Sequence, residues 1–97
     1  MFEIEFTPEA VDDLRTFRKT DQQKMLAAIV DQLSHQATEE TRNRKRLRPN
    51  DLCEWELRVG DCRVFYDVDE ENMVVKIEAI GYKQGNKLFI RGEEYEL

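Results

Sequence analysis

Residues 52–68 read Leu-Cys-Glu-Trp-Glu-Leu-Arg-Val-Gly-Asp-Cys-Arg-Val-Phe-Tyr-Asp-Val, and this stretch constrains the fold most. Two alternating runs meet at Gly60-Asp61, where glycine at the first central position suits a two-residue type II′ turn. The turn dictates the cross-strand pairs. Val59 faces Cys62, Leu57 faces Val64, Trp55 faces Tyr66 and Cys53 faces Val68, all on one side. The other side carries Arg58 opposite Arg63, Glu56 opposite Phe65 and Glu54 opposite Asp67. A slip of one residue would drive charges into the core, so the pattern sets the register. One face is expected to be buried and the other to hold two arginines side by side. Like charges directly opposed are mildly destabilising. The pair is therefore either a solvated couple offset by Glu54 and Glu56, or a clamp for a phosphate.

The flanking segments predict what covers the buried face. Phe2, Ile4 and Phe6 alternate with Glu3 and Glu5 as a short strand. Thr7-Pro8 then opens a helix with Thr7 as N-cap and Pro8 in the first turn. Its expected stripe is Val11, Leu14 and Phe17. Thr20-Asp-Gln-Gln23 reads as a capping box for a second helix, with Met25, Leu26, Ile29, Val30 and Leu33 as its inner face. His35 falls near the end of that helix, where a positive charge is favourable.

Residues 37–51 read as a polar connecting loop closed by Pro49-Asn50. Asp69-Glu-Glu-Asn72 is a turn, and Met73 to Ile80 a strand with Val75, Ile77 and Ala79 on one side. Gly81 is expected to end that strand. Leu88-Phe89-Ile90 is a last apolar element, strand or short helix, and the acidic tail 93–97 is expected to be loosely held. The order predicts an α+β fold, β-α-α-β-β-β, with an N-terminal helix hairpin packed on one face of a small antiparallel sheet.

A chain of 97 residues is expected to form one domain, spanning 1–97, that buries about two-thirds of its unfolded surface. No run approaches a membrane span and the N-terminus has no signal pattern, which predicts a cytoplasmic protein without membrane attachment. Cys53 and Cys62 lie at different levels of the hairpin, and neither a disulfide nor a metal or cofactor motif is indicated. The net charge of −6 argues against broad nucleic-acid affinity. Yet Arg42, Arg44, Lys45, Arg46 and Arg48 put five positive charges in seven residues. The ten remaining Lys and Arg against all 21 Asp and Glu leave −11 elsewhere. Such an island is a nucleic-acid contact, a dock for an acidic segment or a solvated loop.

The opening Phe-Thr-Pro-Glu-Ala-Val-Asp-Asp-Leu, Lys45-Arg46-Leu47, the string Trp55 to Tyr66 and Ile80-Gly-Tyr-Lys83 together resemble the RelE/ParE toxins of bacterial type II toxin–antitoxin systems. The string Leu-Arg-Val-Gly-Asp-x-Arg-Val-x-Tyr is the most specific part. The resemblance implies a cognate antitoxin as partner. For RelE-type members it also implies the ribosome and its mRNA, which they cut with the RNA 2′-hydroxyl as nucleophile; ParE-type members poison DNA gyrase instead. By resemblance, Arg63 contacts the scissile phosphate and Lys83 is a second catalytic cation. Arg58, Lys45, Arg46 and Arg48 fit RNA-backbone contacts. Glu56 is either the base or a counter-charge for the arginines. Glu54 and Glu56 stand where active relatives are often basic, and Phe89 where some have a tyrosine. No histidine follows Gly81. A ParE-like DNA gyrase poison, or a catalytically degenerate toxin homologue acting only by protein binding, is the alternative reading.

Overall fold

The computed structural model describes residues 1–97. Strand β1 (Glu3–Phe6) leads into helices α1 (Pro8–Arg15) and α2 (Lys19–Gln36). Six strands follow: β2 (Arg44–Arg46), β3 (Trp55–Val59), β4 (Cys62–Asp69), β5 (Val74–Gln84), β6 (Lys87–Ile90) and β7 (Glu93–Tyr95). They form one sheet in the order β2-β3-β4-β5-β6-β7, with β1 against β5. The α+β class and the order of elements are as expected. Every pair is antiparallel except β1–β5, which is parallel, because the two helices carry the chain across one face before it returns.

Thr7 caps α1 as its sequence predicts, its hydroxyl accepting from the Ala10 N–H at 3.1 Å. The capping box at Thr20 does not form. Thr20 lies inside α2, which starts at Lys19, and the Gln22 side chain instead donates to the Phe17 carbonyl at 2.7 Å. Only Met25, Ile29 and Leu33 of the expected stripe are buried; Leu26 and Val30 face outward. Buried positions four residues apart make a single narrow contact line along the helix.

The hairpin register from Trp55–Tyr66 to Val59–Cys62 is as the turn dictates. Gly60 has φ +61 and Asp61 does not have a positive φ, as a type II′ turn requires. Beyond Trp55 the pairing ends, and Cys53 turns to the opposite face, where it packs with Phe65. The main core lies under the helices and includes Trp55, Leu57, Val64, Tyr66, Val75, Ile77 and Ile80. The Tyr66 hydroxyl donates to the Ala37 carbonyl at 2.7 Å and ties the sheet to the end of α2.

The second face is not left to solvent. Cys53, Phe65, Ala79, Leu88 and Ile90 form a smaller cluster there, flanked by Leu47, Leu52 and Tyr95. Two expectations change with it: the 37–51 segment contributes an edge strand, β2, instead of remaining a loop, and the acidic tail supplies β7. The apolar element at 88–90, open between strand and helix in the sequence, is a strand. Ala79 leaves the side of Ile77 because the β4–β5 ladder shifts between Phe65 and Tyr66, which pair with Ala79 and Ile77 and leave Glu78 as the extra residue of a β-bulge.

Gly81 does not end the strand. β5 runs through it, and a Cβ there would lie 2.3 Å from the Phe89 carbonyl oxygen and 2.8 Å from Ile90 Cγ1. The glycine lets β6 close over β5. Gly81→Ala should therefore cost about 1–3 kcal/mol of stability by overpacking, read as a lower urea midpoint; an unchanged midpoint would refute the close approach.

Candidate functional site

Residues directly opposite one another share a face, so the register assembles the candidate residues. Lys45 stands opposite Glu56, Glu56 opposite Phe65, and Arg58 opposite Arg63, which in turn faces Gly81. All lie on the side away from the helices. Lys83 joins them: it pairs with Leu88 of the second cluster, and its N–H bonds the Asp61 carbonyl at the hairpin tip at 2.8 Å. One face thus gathers Lys45, Glu56, Arg58, Arg63 and Lys83.

The two arginines differ. Arg58 is exposed. Arg63 is only 6% exposed, so of the two alternatives the fully solvated couple does not hold for it. Its Nη1 donates to the carbonyls of Gly60 and Cys62, each at 2.9 Å, which clips the guanidinium to its own turn. Its Nε is buried with no acceptor. Burial lowers the Arg63 pKa; Glu56 opposes the shift and Arg58 adds to it. Two guanidinium groups set side by side on one face are an arrangement that suits an anion.

The basic island does not converge. Lys45 points toward the cationic face, whereas Arg46, opposite Trp55, lies toward the helix side. There its Cζ sits 5.8 Å from the Trp55 ring centre and its Nη2 lies 3.4 Å from Glu54 Oε2. Arg48 is exposed in the 47–54 segment, lining a recess of about 450 Å³ with Asn50, Glu54 and Asp67. Arg44 is buried and structural: it donates to the Glu39 and Gln32 carbonyls and to the side chains of Gln32 and Gln36. Nothing in its local sequence separates it from its neighbours. Phe89 stacks on Tyr82 at 5.5 Å on the helix side, so neither ring accompanies Lys83.

An acid pair escaped the sequence reading. The bulge brings Glu78 to Asp67, and the Glu78 pKa is pushed up to about 7. Burial is the main cause, followed by the hydrogen bond and charge of Asp67, with Lys76 opposing and Glu9 adding to the rise. Asp67 also accepts from the Glu54 N–H at 2.8 Å and so anchors the 47–54 segment. Beside the pair, the Cys53 thiol is pushed up to about 12, chiefly by burial and then by Asp67, and is inert as a nucleophile. Simple alternation had no means of bringing Glu78 and Asp67 together.

The cationic face can hold a phosphodiester by charge and hydrogen bonding, with a carboxylate set among the cations. No cluster of three or more His, Cys, Asp or Glu is placed to hold a metal ion, and no helix is long and apolar enough to cross a membrane.

Comparison with known proteins identifies the class. The sequence model of the family described as "ParE toxin of type II toxin-antitoxin system, parDE" matches residues 4–86. The chain belongs to this RelE/ParE family of type II toxins. No curated protein matches the chain. Among solved structures, the archaeal RelE–RelB complex from Pyrococcus horikoshii has a chain with TM-score 0.68 and 20% identity, covering 87% of this chain and 96% of that one. The toxin–antitoxin complex RelBE2 from Mycobacterium tuberculosis gives 0.60 and 26%, with coverages of 84% and 91%. The intact E. coli RelBE complex gives 0.66 and 23%, with 87% and 99%. These relatives share the fold, and each was solved as a complex of toxin and antitoxin.

The raised Glu78 has a signed consequence for stability. Unfolding returns it to 4.5, so between 4.5 and about 7 the folded chain holds the proton more tightly. Its stabilisation is present in full below that window and is lost as pH rises through it, levelling above about 7. Between about pH 5.5 and 7.5 the melting temperature should fall, and Glu78→Gln should flatten that slope. An equal slope in the variant would place the titrating group elsewhere.

Proposed function

We propose that this toxin is an mRNA endoribonuclease acting at the ribosome, with residues 1–97 as its toxin domain and an antitoxin as its inhibitor. The observation that carries the reading is the placement of Arg63, clipped to its own turn, directly opposite Arg58. With exposed Arg58 beside it and Lys45 and Lys83 on the same face, it supports a phosphate contact. In the proposed step the RNA 2′-oxygen attacks phosphorus as Glu56 takes its proton. The bond to the 5′-oxygen breaks as Lys83 supplies a proton to the leaving group. A 2′,3′-cyclic phosphate and a 5′-hydroxyl result, and Arg63 and Arg58 stabilise the charge that builds on the phosphoryl oxygens. Lys45 and Arg48 serve the RNA backbone further along, whereas Arg46 stands against Trp55 on the other side of the sheet.

A second reading is favoured by one feature. Glu56 sets a carboxylate opposite Lys45 and on the face of Arg58 and Arg63, which weakens a polyanion site and suits a protein-binding toxin such as a gyrase poison. Induced expression separates the two. Ribonuclease action predicts new mRNA 5′ ends within translated codons minutes after induction, absent when translation is blocked. Gyrase poisoning predicts cleaved DNA without such ends, and its appearance would overturn the nuclease reading.

Two substitutions sharpen the test. Arg58→Ala removes an exposed cation, so it should leave stability within about 0.5 kcal/mol and lower cleavage about 10²-fold. Arg63→Ala should abolish cleavage but also cost about 1–3 kcal/mol, because two charge-assisted hydrogen bonds to the turn are lost. Melting temperatures of both variants, measured beside cleavage, check the distinction. Full cleavage by folded Arg58→Ala and Arg63→Ala would refute the phosphate clamp.

A further inference from the structure

On the helix side, at the same end of the sheet as the cationic face, three aromatic rings line an open cleft. Tyr82 stands 6.4 Å from Phe17 at an interplanar angle of 82°, and 5.5 Å from Phe89 at 23°. Tyr82 remains 38% exposed. The cleft between α1 and the β5–β6 hairpin is about 670 Å³, room for several side chains.

Its floor is rigid. Asp13, 5% exposed, accepts from the Ile80 N–H at 3.1 Å and from Arg91 Nε at 2.9 Å. Arg91 also donates to the Glu78 carbonyl at 3.3 Å. The rim is acidic. Glu9 and Asp12 border the opening, and Asp12 has only a loose partner in Arg15 at 4.0 Å, both side chains mostly exposed. The lining therefore holds three carboxylates against one guanidinium, which Asp13 already engages.

We propose that this cleft docks a basic, amphipathic segment of a partner protein. The segment would seat an apolar or aromatic side chain on Tyr82 and Phe89 and set a lysine or arginine against Glu9 and Asp12. Apolar burial on the rings supplies the driving force, and the cation gains from both the carboxylates and the ring faces. A nucleic acid is disfavoured at this position. Its bases could stack on Tyr82, but its phosphates would meet uncompensated carboxylates. The cleft also lies on the opposite side of the sheet from Arg58, Arg63 and Lys83, so the inference stands apart from the nuclease reading and survives its failure.

The test uses the full chain, labelled with nitrogen-15, and three probes. The first is the capped peptide Lys-Leu-Trp-Arg-Leu-Lys. The second is the same peptide with glutamate for every lysine and arginine, and the third is an RNA hexamer of uridines. The basic peptide should shift the amide signals of Phe17, Tyr82 and Phe89 saturably, and the acidic peptide and RNA should not. Glu9→Lys with Asp12→Lys should weaken the basic peptide at least tenfold, whereas Arg58→Ala should leave its affinity unchanged. These two acids are exposed and remote from the core, so the double variant should remain folded, as its amide spectrum will report. Equal or tighter binding of the acidic peptide or the RNA at these residues overturns the proposal. So does the absence of any shift with the basic peptide, or a concentration-dependent dimer that occupies the cleft.

Discussion

The extra residue in β5, Glu78, decides where the functional side chains stand. Opposite Phe65 and Tyr66 the β4–β5 ladder shifts by one, so Ile77 and Ile80 both face the helices. With uninterrupted alternation from Ile77, Lys83 would lie on the helix side and Tyr82 on the other. The bulge reverses that phase. Lys83 then shares a face with Arg58 and Arg63, and Tyr82 meets Phe17 and Phe89 beneath α1. The same irregularity presses Glu78 against Asp67 and raises its pKa. Bulges of this kind re-aim side chains at the cost of an unpaired residue.

Both faces of the central strand are consequently covered. Val64, Phe65 and Tyr66 are successive and fully buried, Val64 and Tyr66 under the helices and Phe65 in the smaller cluster. On the face of this second cluster Arg63 is a buried group. A guanidinium flush with solvent would be only one more surface charge. Clipped to the carbonyls of Gly60 and Cys62, it is held in one orientation instead. The family's type II toxins share this sheet-and-helix scaffold, and the proposed chemistry depends on how that one side chain is enclosed.

Arginine usage shows why charge counting reaches a limit. Five basic residues between 42 and 48 look equivalent in the sequence. In the fold Arg44 closes the end of α2, Arg46 lies against Trp55 and Glu54, and Lys45 alone among the strand residues turns to the cationic face. Strand alternation separates them, and that alternation became visible only once 44–46 was a strand. The polar composition of 37–51 had concealed it, since a three-residue edge strand carries too few apolar residues to announce itself. Likewise Gly81 reads as a strand breaker locally, but its role is to admit the Phe89 backbone.

By itself the sequence determined the α+β order, the Thr7 cap, the Gly60-Asp61 turn and the pairing of Arg58 with Arg63. Each depends on neighbours within a few residues or on a two-residue turn, where local sterics and alternation leave few alternatives. It also carried the family resemblance. Tertiary structure decided the parallel β1–β5 pair, the bulge, the second cluster, the burial of Arg63, the face of Lys83 and the aromatic cleft. These depend on contacts between segments far apart in the chain, such as Asp13 with Arg91 and Phe17 with Tyr82. Periodicity within one segment does not encode the phase of another. That phase is set when the strands close against each other and the helices take one side.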